Sequence, residues 1–222
     1  MRTAAILPVK RFSHAKQRLQ RAVDGPERAE LAAAMVGDVL ESLSTIPALD
    51  DVIVVTAEPQ AAAAARQSGA HVVHDPDEAG QSAAAELGIE AATKRGAERV
   101  LLVPGDCPAL DPGEVAGLLA RDVGQPSLVI VPDRHGSGTN ALLITPPTAV
   151  VPGFGPGSFA RHAARARAVG ARVAVAQAAS LALDVDTPGD LAALRAALAA
   201  GAGAAPRTRA VVSRMAPVAG AV

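Results

Sequence analysis

Three aspartates stand where a carboxylate could hold a cation. Asp106 lies in Val103-Pro104-Gly105-Asp106-Cys107-Pro108, directly after an apolar run, and the flanking prolines stiffen the turn and fix where the carboxylate points. A rigid aspartate at a strand end suits Mg²⁺, which takes oxygen ligands in tight geometry. The alternative is an aspartate that caps the turn or the next helix. Asp184 and Asp186, in Leu183-Asp184-Val185-Asp186-Thr187-Pro188, are two residues apart and share one side of an extended chain. Like charges so paired are costly unless a cation or basic group compensates them, and a divalent metal is the natural compensation. Thr187 reads as the cap of a helix opened by Pro188, and Asp190 as an acid favouring that helix's N-terminus.

Opposite in charge is the segment Leu7-Pro8-Val9-Lys10-Arg11-Phe12-Ser13-His14-Ala15-Lys16-Gln17-Arg18-Leu19. Residues 1–21 hold six Lys/Arg and no Asp or Glu. A cationic loop at a strand's carboxyl end can wrap a triphosphate, with lysine as a point charge and arginine as a fork; an ordinary solvated loop is the alternative. The Gly-x-x-x-x-Gly-Lys-Ser/Thr pattern is missing, which excludes a P-loop, and no Gly-x-Gly-x-x-Gly marks a dinucleotide fold. Two further segments are glycine-rich, Asp133–Asn140 and Gly153–Phe159. The second opens an expected helix, where backbone N–H groups can take a phosphate or carboxylate. His135 and His162 read as surface or packing residues. Cys107 reads as a small buried residue, since no base is placed to activate it.

The elements that must position these groups alternate regularly. Strands are expected at 4–9, 51–56, 71–74, 99–103, 128–131, 140–145, 172–176 and 181–185. Helices are expected at 26–43, 58–68, 81–95, 112–121, 157–169 and 188–200, several closed by glycine. Nearly continuous apolar strands alternating with helices point to a mostly parallel sheet covered on both faces. Such sheets bind ligands at the carboxyl ends of their strands. Residues 1–200 are read as one domain. Residues 201–222, rich in Ala and Gly with three arginines and no periodicity, are read as a disordered tail.

Composition narrows the function. Three Phe, no Tyr and no Trp argue against single-strand nucleic-acid binding, which uses aromatic stacking. A net charge of −1 offers no polyanion-binding field. One cysteine excludes an internal disulfide and a cysteine-based zinc cluster. No run is long enough for a membrane span or a signal peptide, and a cytoplasmic protein is expected.

The motifs resemble the 2-phospho-L-lactate or phosphoenolpyruvate guanylyltransferases of coenzyme F420 biosynthesis, over roughly residues 2–198. The resemblance is carried by Leu7–Lys10 with Ala15–Leu19, by Pro104–Pro108, Gly138–Leu142, Gly155–Phe159 and Leu183–Pro188. It implies a single-domain Rossmann-like nucleotidyltransferase of the glycosyltransferase A type, α/β, with a mixed, mostly parallel sheet. It implies GTP, a small phosphorylated acid and Mg²⁺, with no nucleic acid and no membrane as partner; a homodimer is compatible with it. By resemblance Asp106, Asp184 and Asp186 hold the metal, and Thr139, Gly155 and Ser158 bind the acid. Pro8, Val9, Lys10, Lys16, Arg18, Gly80, Ser82 and Asp106 serve the nucleotide, and Asp106, Lys10 and Lys16 act in catalysis. Ser82 stands where relatives often carry Asn. Other nucleotidyltransferases of this fold, of the molybdopterin guanylyl or sugar-phosphate type, and a non-catalytic nucleotide-binding module remain as alternatives.

Overall fold

The computed structural model describes residues 1–20 and 22–216. Seven strands form one sheet: β1 (Thr3–Val9), β2 (Asp51–Thr56), β3 (His71–His74), β4 (Arg99–Leu102), β5 (Ser127–Pro132), β6 (Thr139–Thr145) and β7 (Arg172–Val175). Their order is β3-β2-β1-β4-β6-β5-β7. The pairings β1 with β2, β1 with β4, β2 with β3 and β5 with β7 are parallel, whereas β6 runs antiparallel to both of its neighbours. The sheet is mixed and mostly parallel, as the strand–helix alternation requires.

Among the described residues eight α-helices accompany it: α1 (Gly25–Ser44), α2 (Pro59–Gln67), α3 (Gln81–Lys94), α4 (Pro112–Leu119), α5 (Ser158–Ala168), α6 (Ala179–Ala182), α7 (Pro188–Ala199) and α8 (Pro206–Arg214). Alternate residues of β1 divide the core. Ala5, Leu7 and Val9 pack with Val36, Val39 and Leu43 of α1 and Val115 and Leu118 of α4. Ala4 and Ile6 pack on the other face with Ala84, Ala85 and Ile89 of α3 and Ala163 and Ala166 of α5. α3 approaches so closely that a Cβ on Gly88 would lie 2.3 Å from Ile6 Cγ2. Helix starts follow their caps. Asp24 accepts from the Glu27 N–H at 2.8 Å, and Thr187 with Asp190 forms a capping box at α7.

Two expectations are corrected. Residues 181–185 are not a strand: α6 makes one helical turn and 183–187 then run without a ladder. The reason lies in the partners. Asn140 Nδ2 donates to the Leu181 carbonyl at 2.8 Å, and the Val185 N–H donates to the Asp106 carbonyl at 3.2 Å. The segment crosses the end of the sheet instead of joining it, although its alternating pattern is that of a strand.

The expected disordered tail is corrected for residues 206–214, which form α8; residues 217–222 lie outside the described residues. Ala205, Val211, Val212 and Met215 are buried in a third apolar cluster with Leu31 and Met35 of α1, Leu191 and Leu194 of α7, Leu19 and Val185. Asp38, 2% exposed, caps α8 from across the fold, accepting from the N–H groups of Arg207 (3.1 Å) and Thr208 (2.7 Å). Arg207 also pairs with Glu41.

Asp38→Ala strands these two donors, that of Thr208 buried and that of Arg207 partly so. It is expected to lower the unfolding free energy by about 2 kcal/mol, read from urea denaturation. An unchanged midpoint would show that α8 is not held by this cap.

Candidate active site

The carboxyl ends of β1 to β5 and β7 and the amino end of β6 meet along one edge of the sheet, because β6 alone is reversed. Two cavities open there. The larger, about 810 Å³, lies between the loop after β1 and the loops after β3 and β4. Pro8, Val9, Lys10, Lys16, Arg18, Gly80 and Asp106 line it. Its size falls within the ~300–1,000 Å³ range of small-molecule pockets. The smaller, about 350 Å³, lies between the loop after β5, the start of β6 and the N-terminus of α5. Thr139, Gly155, Ser158 and Asp184 line it. Both cavities share Arg18, Gln81, Pro104, Asp106 and Asp186 as a common wall.

That wall is an ion-pair cluster. Lys16, its side chain only 7% exposed, donates to Asp106 Oδ2 at 2.5 Å and Asp186 Oδ1 at 3.3 Å, and Arg18 stands 3.7 Å from Asp186 Oδ2. Burial works against the Lys16 ammonium, but Asp106 and then Asp186 outweigh it and hold its pKa above the usual value. Asp184 is less compensated. Burial, then the negative charges of Asp106 and Asp186, raise its pKa despite the hydrogen bond from Asn140 Nδ2 at 3.1 Å. Among the described residues, no three acidic, imidazole or thiol side chains converge closely enough to hold a metal as they stand. Lys16 is the cation between Asp106 and Asp186.

One side of the smaller cavity is a glycine-rich loop. Gly155 (φ 106°) and Gly157 (φ 69°) take left-handed backbone open to glycine at little cost, turning the chain into α5. On the far side, Arg161 Nη1 donates to the Gly153 carbonyl (2.7 Å) and Nη2 to that of Pro156 (2.8 Å), while Arg165 Nη1 donates to Pro152 (2.7 Å). The Gly153, Phe154 and Ser158 amides are engaged by His162, Ser82 and the Gly155 carbonyl, so in this loop the Gly155 and Gly157 amides are the ones left for an anion. Thr139 Oγ1 contacts His162 Nδ1 at 3.0 Å.

Most of the expected residues therefore assemble, but Ser82 does not line the larger cavity. Its hydroxyl accepts from the Phe154 N–H at 2.9 Å and ties α3 to the glycine loop. Cys107 is fully buried with Sγ 3.4 Å from the Leu181 carbonyl, and burial, then Asp106 and Asp184, raise its pKa far above the ordinary thiol value. It is a packing residue. His162, also fully buried, packs as expected but also contacts a site residue. Sequence reasoning missed Gln81, Asn140 and Arg134, whose guanidinium reaches Asp190 at 2.5 Å. Gln81 follows Gly80 at a helix start, and Asn140 follows Thr139 in the glycine-rich motif; those positions were the available signals. His162, four residues after Ser158, shares its face of α5.

A large cleft and a smaller cavity meeting at acids on a mostly parallel α/β sheet fit the class of the nucleotidyltransferases. The solved structures agree on the fold. A Desulfovibrio desulfuricans protein superposes with a TM-score of 0.73 at 18% identity, covering 97% of this chain and 99% of its own. A nucleotidyl transferase from Methanothermobacter superposes at 0.61 and 19% identity, covering 90% of this chain and 98% of its own. Residues 3–203 match the family described as guanylyl transferase, CofC like, and the chain belongs to that family. Among its relatives, a phosphoenolpyruvate guanylyltransferase of Conexibacter woesei is 46% identical over 216 residues, 97% of either chain. Among the described residues, no helix is long and apolar enough to cross a membrane.

The buried imidazole gives the fold a pH dependence. Burial, then Arg165 and Arg161, lower the His162 pKa from 6.5 to about 4. A depressed folded-state pKa contributes stability above the unfolded value near 6.5, and this is lost as pH falls toward about 4. Between pH 7 and pH 5 the stability advantage of wild type over His162→Phe should shrink by roughly 1–2 kcal/mol. A pH-independent difference would show that His162 is not held neutral.

Proposed function

We propose that this guanylyltransferase transfers GMP from GTP to phosphoenolpyruvate, releasing pyrophosphate, in coenzyme F420 biosynthesis. The observation that carries the reading is the pair of cavities with one shared wall at Asp106 and Asp186, the larger sized for a nucleotide and the smaller for a compact anion. The name borne by the Conexibacter woesei relative supports phosphoenolpyruvate as acceptor.

In this reading a phosphate oxygen of the acceptor forms a bond to the α-phosphorus of GTP. The bond from that phosphorus to the bridging oxygen breaks in line, and its electron pair leaves with pyrophosphate. A phosphate monoester has a second pKa near ~6 and is mostly dianionic at neutral pH, so no side chain need take a proton. The chain's own residues position and neutralise. Lys10, Lys16 and Arg18, lining the larger cavity, serve the nucleotide phosphates. Thr139, Ser158 and the amides around Gly155 orient the acceptor from the smaller one.

Charge balance supports a divalent cation. The smaller cavity is lined by five aspartates (Asp106, Asp133, Asp184, Asp186 and Asp190) against Arg18 and Arg134, and Arg134 is paired with Asp190. Two anionic substrates would be repelled there without added positive charge. Asp106, Asp184 and Asp186 offer the hard oxygen donors that Mg²⁺ prefers, and Mg²⁺ bound there would neutralise charge developing on the transferred phosphate.

Pyrophosphate release from GTP, followed with phosphoenolpyruvate, 2-phospho-L-lactate and 3-phosphoglycerate in parallel and ATP and CTP as controls, tests the reading. Release with GTP and phosphoenolpyruvate is expected. Release only with 2-phospho-L-lactate would move the acceptor, and none with any acid would sink the proposal. Chelation of divalent cations should abolish the activity. Asp106→Ala should lower kcat by about a hundredfold or more while the fold is retained by circular dichroism; near-full activity would exclude Asp106 from the reacting centre.

A further inference from the structure

We propose that His162 is the positioning residue of the acceptor cavity: it fixes the Thr139 hydroxyl as a hydrogen-bond donor toward the bound anion and clamps the Gly153–Gly157 loop against the start of β6. The inference rests on the reading of the smaller cavity as the acceptor site.

The polarity follows from a hydrogen-bond chain. The Gly153 N–H donates to His162 Nε2 at 2.8 Å. A backbone amide can only donate, so Nε2 must accept and carries no proton. The neutral ring then holds its proton on Nδ1, which lies 3.0 Å from Thr139 Oγ1 and donates to it. Oγ1 accepts that bond, and among the described residues its own hydrogen has no protein acceptor. Thr139 lines the smaller cavity. An anionic acceptor offers only lone pairs there, so a hydroxyl already accepting from His162 is committed to donating to it. In the reverse tautomer two donors, the Gly153 N–H and Nε2–H, would face each other.

The same ring also fixes the loop. Its T-shaped contact with Phe154 has centroids 5.3 Å apart. The next amide along, Phe154 N–H, is held by Ser82, and Arg161 takes the Gly153 carbonyl. His162 therefore joins β6, the loop and α5 at one point, without lining either cavity itself. Arg161 and Arg165 lie nearby on α5, and with burial they keep the ring neutral, the state this chain needs.

Three variants separate the bonds. His162→Phe keeps a ring against Phe154 and removes both nitrogens. His162→Asn can keep a donor at the Nδ1 position while losing the acceptor for Gly153. Thr139→Val removes the hydroxyl. His162→Phe should raise KM for the phosphorylated acid by about ten- to a hundredfold, with KM for GTP within about twofold of wild type. His162→Asn should fall between wild type and His162→Phe. Adding Thr139→Val to His162→Phe should raise the acceptor KM by a smaller factor than Thr139→Val does in wild type, because part of the effect of each runs through the bond they share. An unchanged acceptor KM, or equal rises for both substrates, overturns the proposal. Should His162→Phe not fold, the His162→Asn comparison decides on the same criteria. Nitrogen-15 NMR of the wild-type ring is expected to show protonated Nδ1 and bare Nε2, and the reverse tautomer overturns the assignment. The NMR result holds whichever acid is the acceptor. Failure of wild type to guanylylate any of the acids would instead count against the acceptor reading alone.

Discussion

The site depends on one buried ammonium. Lys16, Asp106 and Asp186 come from the loop after β1, the loop after β4 and the segment before α7, with 90 and 170 residues separating the lysine from its two partners. A buried charge without a partner costs several kcal/mol, so each member of the cluster is held by the others. Lys16 itself adopts a left-handed backbone (φ 54°), which disfavours a residue with a side chain by about 1–2 kcal/mol. That strain is compensated by the two ion pairs the conformation permits. Three loops that would otherwise move independently are thereby drawn to one edge of the sheet, and the wall between the two cavities is the result.

Topology decides what faces that wall. In a purely parallel sheet only strand ends would reach the ligand edge. Reversing β6 brings a strand beginning there, so Thr139 and Asn140 enter the site with their backbones fixed in the ladder. Asn140 then reaches across to the Leu181 carbonyl and the Asp184 carboxylate, holding the crossing segment that a ladder does not hold. From below, Val185 is buried with Leu191, Leu194 and the residues of α8. The C-terminal helix therefore supports the aspartates, although it touches neither cavity.

What could be read from the sequence was what depends on near neighbours. The helices α1 to α5 and α7 show in their caps, prolines and closing glycines, and the parallel strands in their apolar runs. Asp106 shows in its stiff, proline-flanked turn. Asp184 and Asp186 do line one cavity, although the expected strand is absent. The misses are long-range. α8 has too few apolar residues to announce itself, and it forms because Asp38 and α1 receive it across the fold. Ser82 was expected at the nucleotide and instead holds the Phe154 amide 72 residues away. His162 was read correctly as a packing residue, but its bond to Thr139 is a tertiary fact.

The division of residues between the cavities separates reaction from selection. In the proposed reading the attacking oxygen and the α-phosphorus meet where the cavities join, which would set the polar residues of the shared wall, Arg18, Gln81, Asp106 and Asp186, toward the reacting atoms. Thr139, Gly155 and Ser158 line the smaller cavity alone, and in that reading they would face the part of the acceptor that does not react. They offer hydroxyls and amides, which add no net charge, whereas the wall is charged. Changes at Thr139 and in the 155–158 segment would then alter which acid is held without touching the ion pairs of Lys16 with Asp106 and Asp186. The reverse does not follow, because a change at Lys16 or Asp106 unbalances the cluster that shapes both cavities at once.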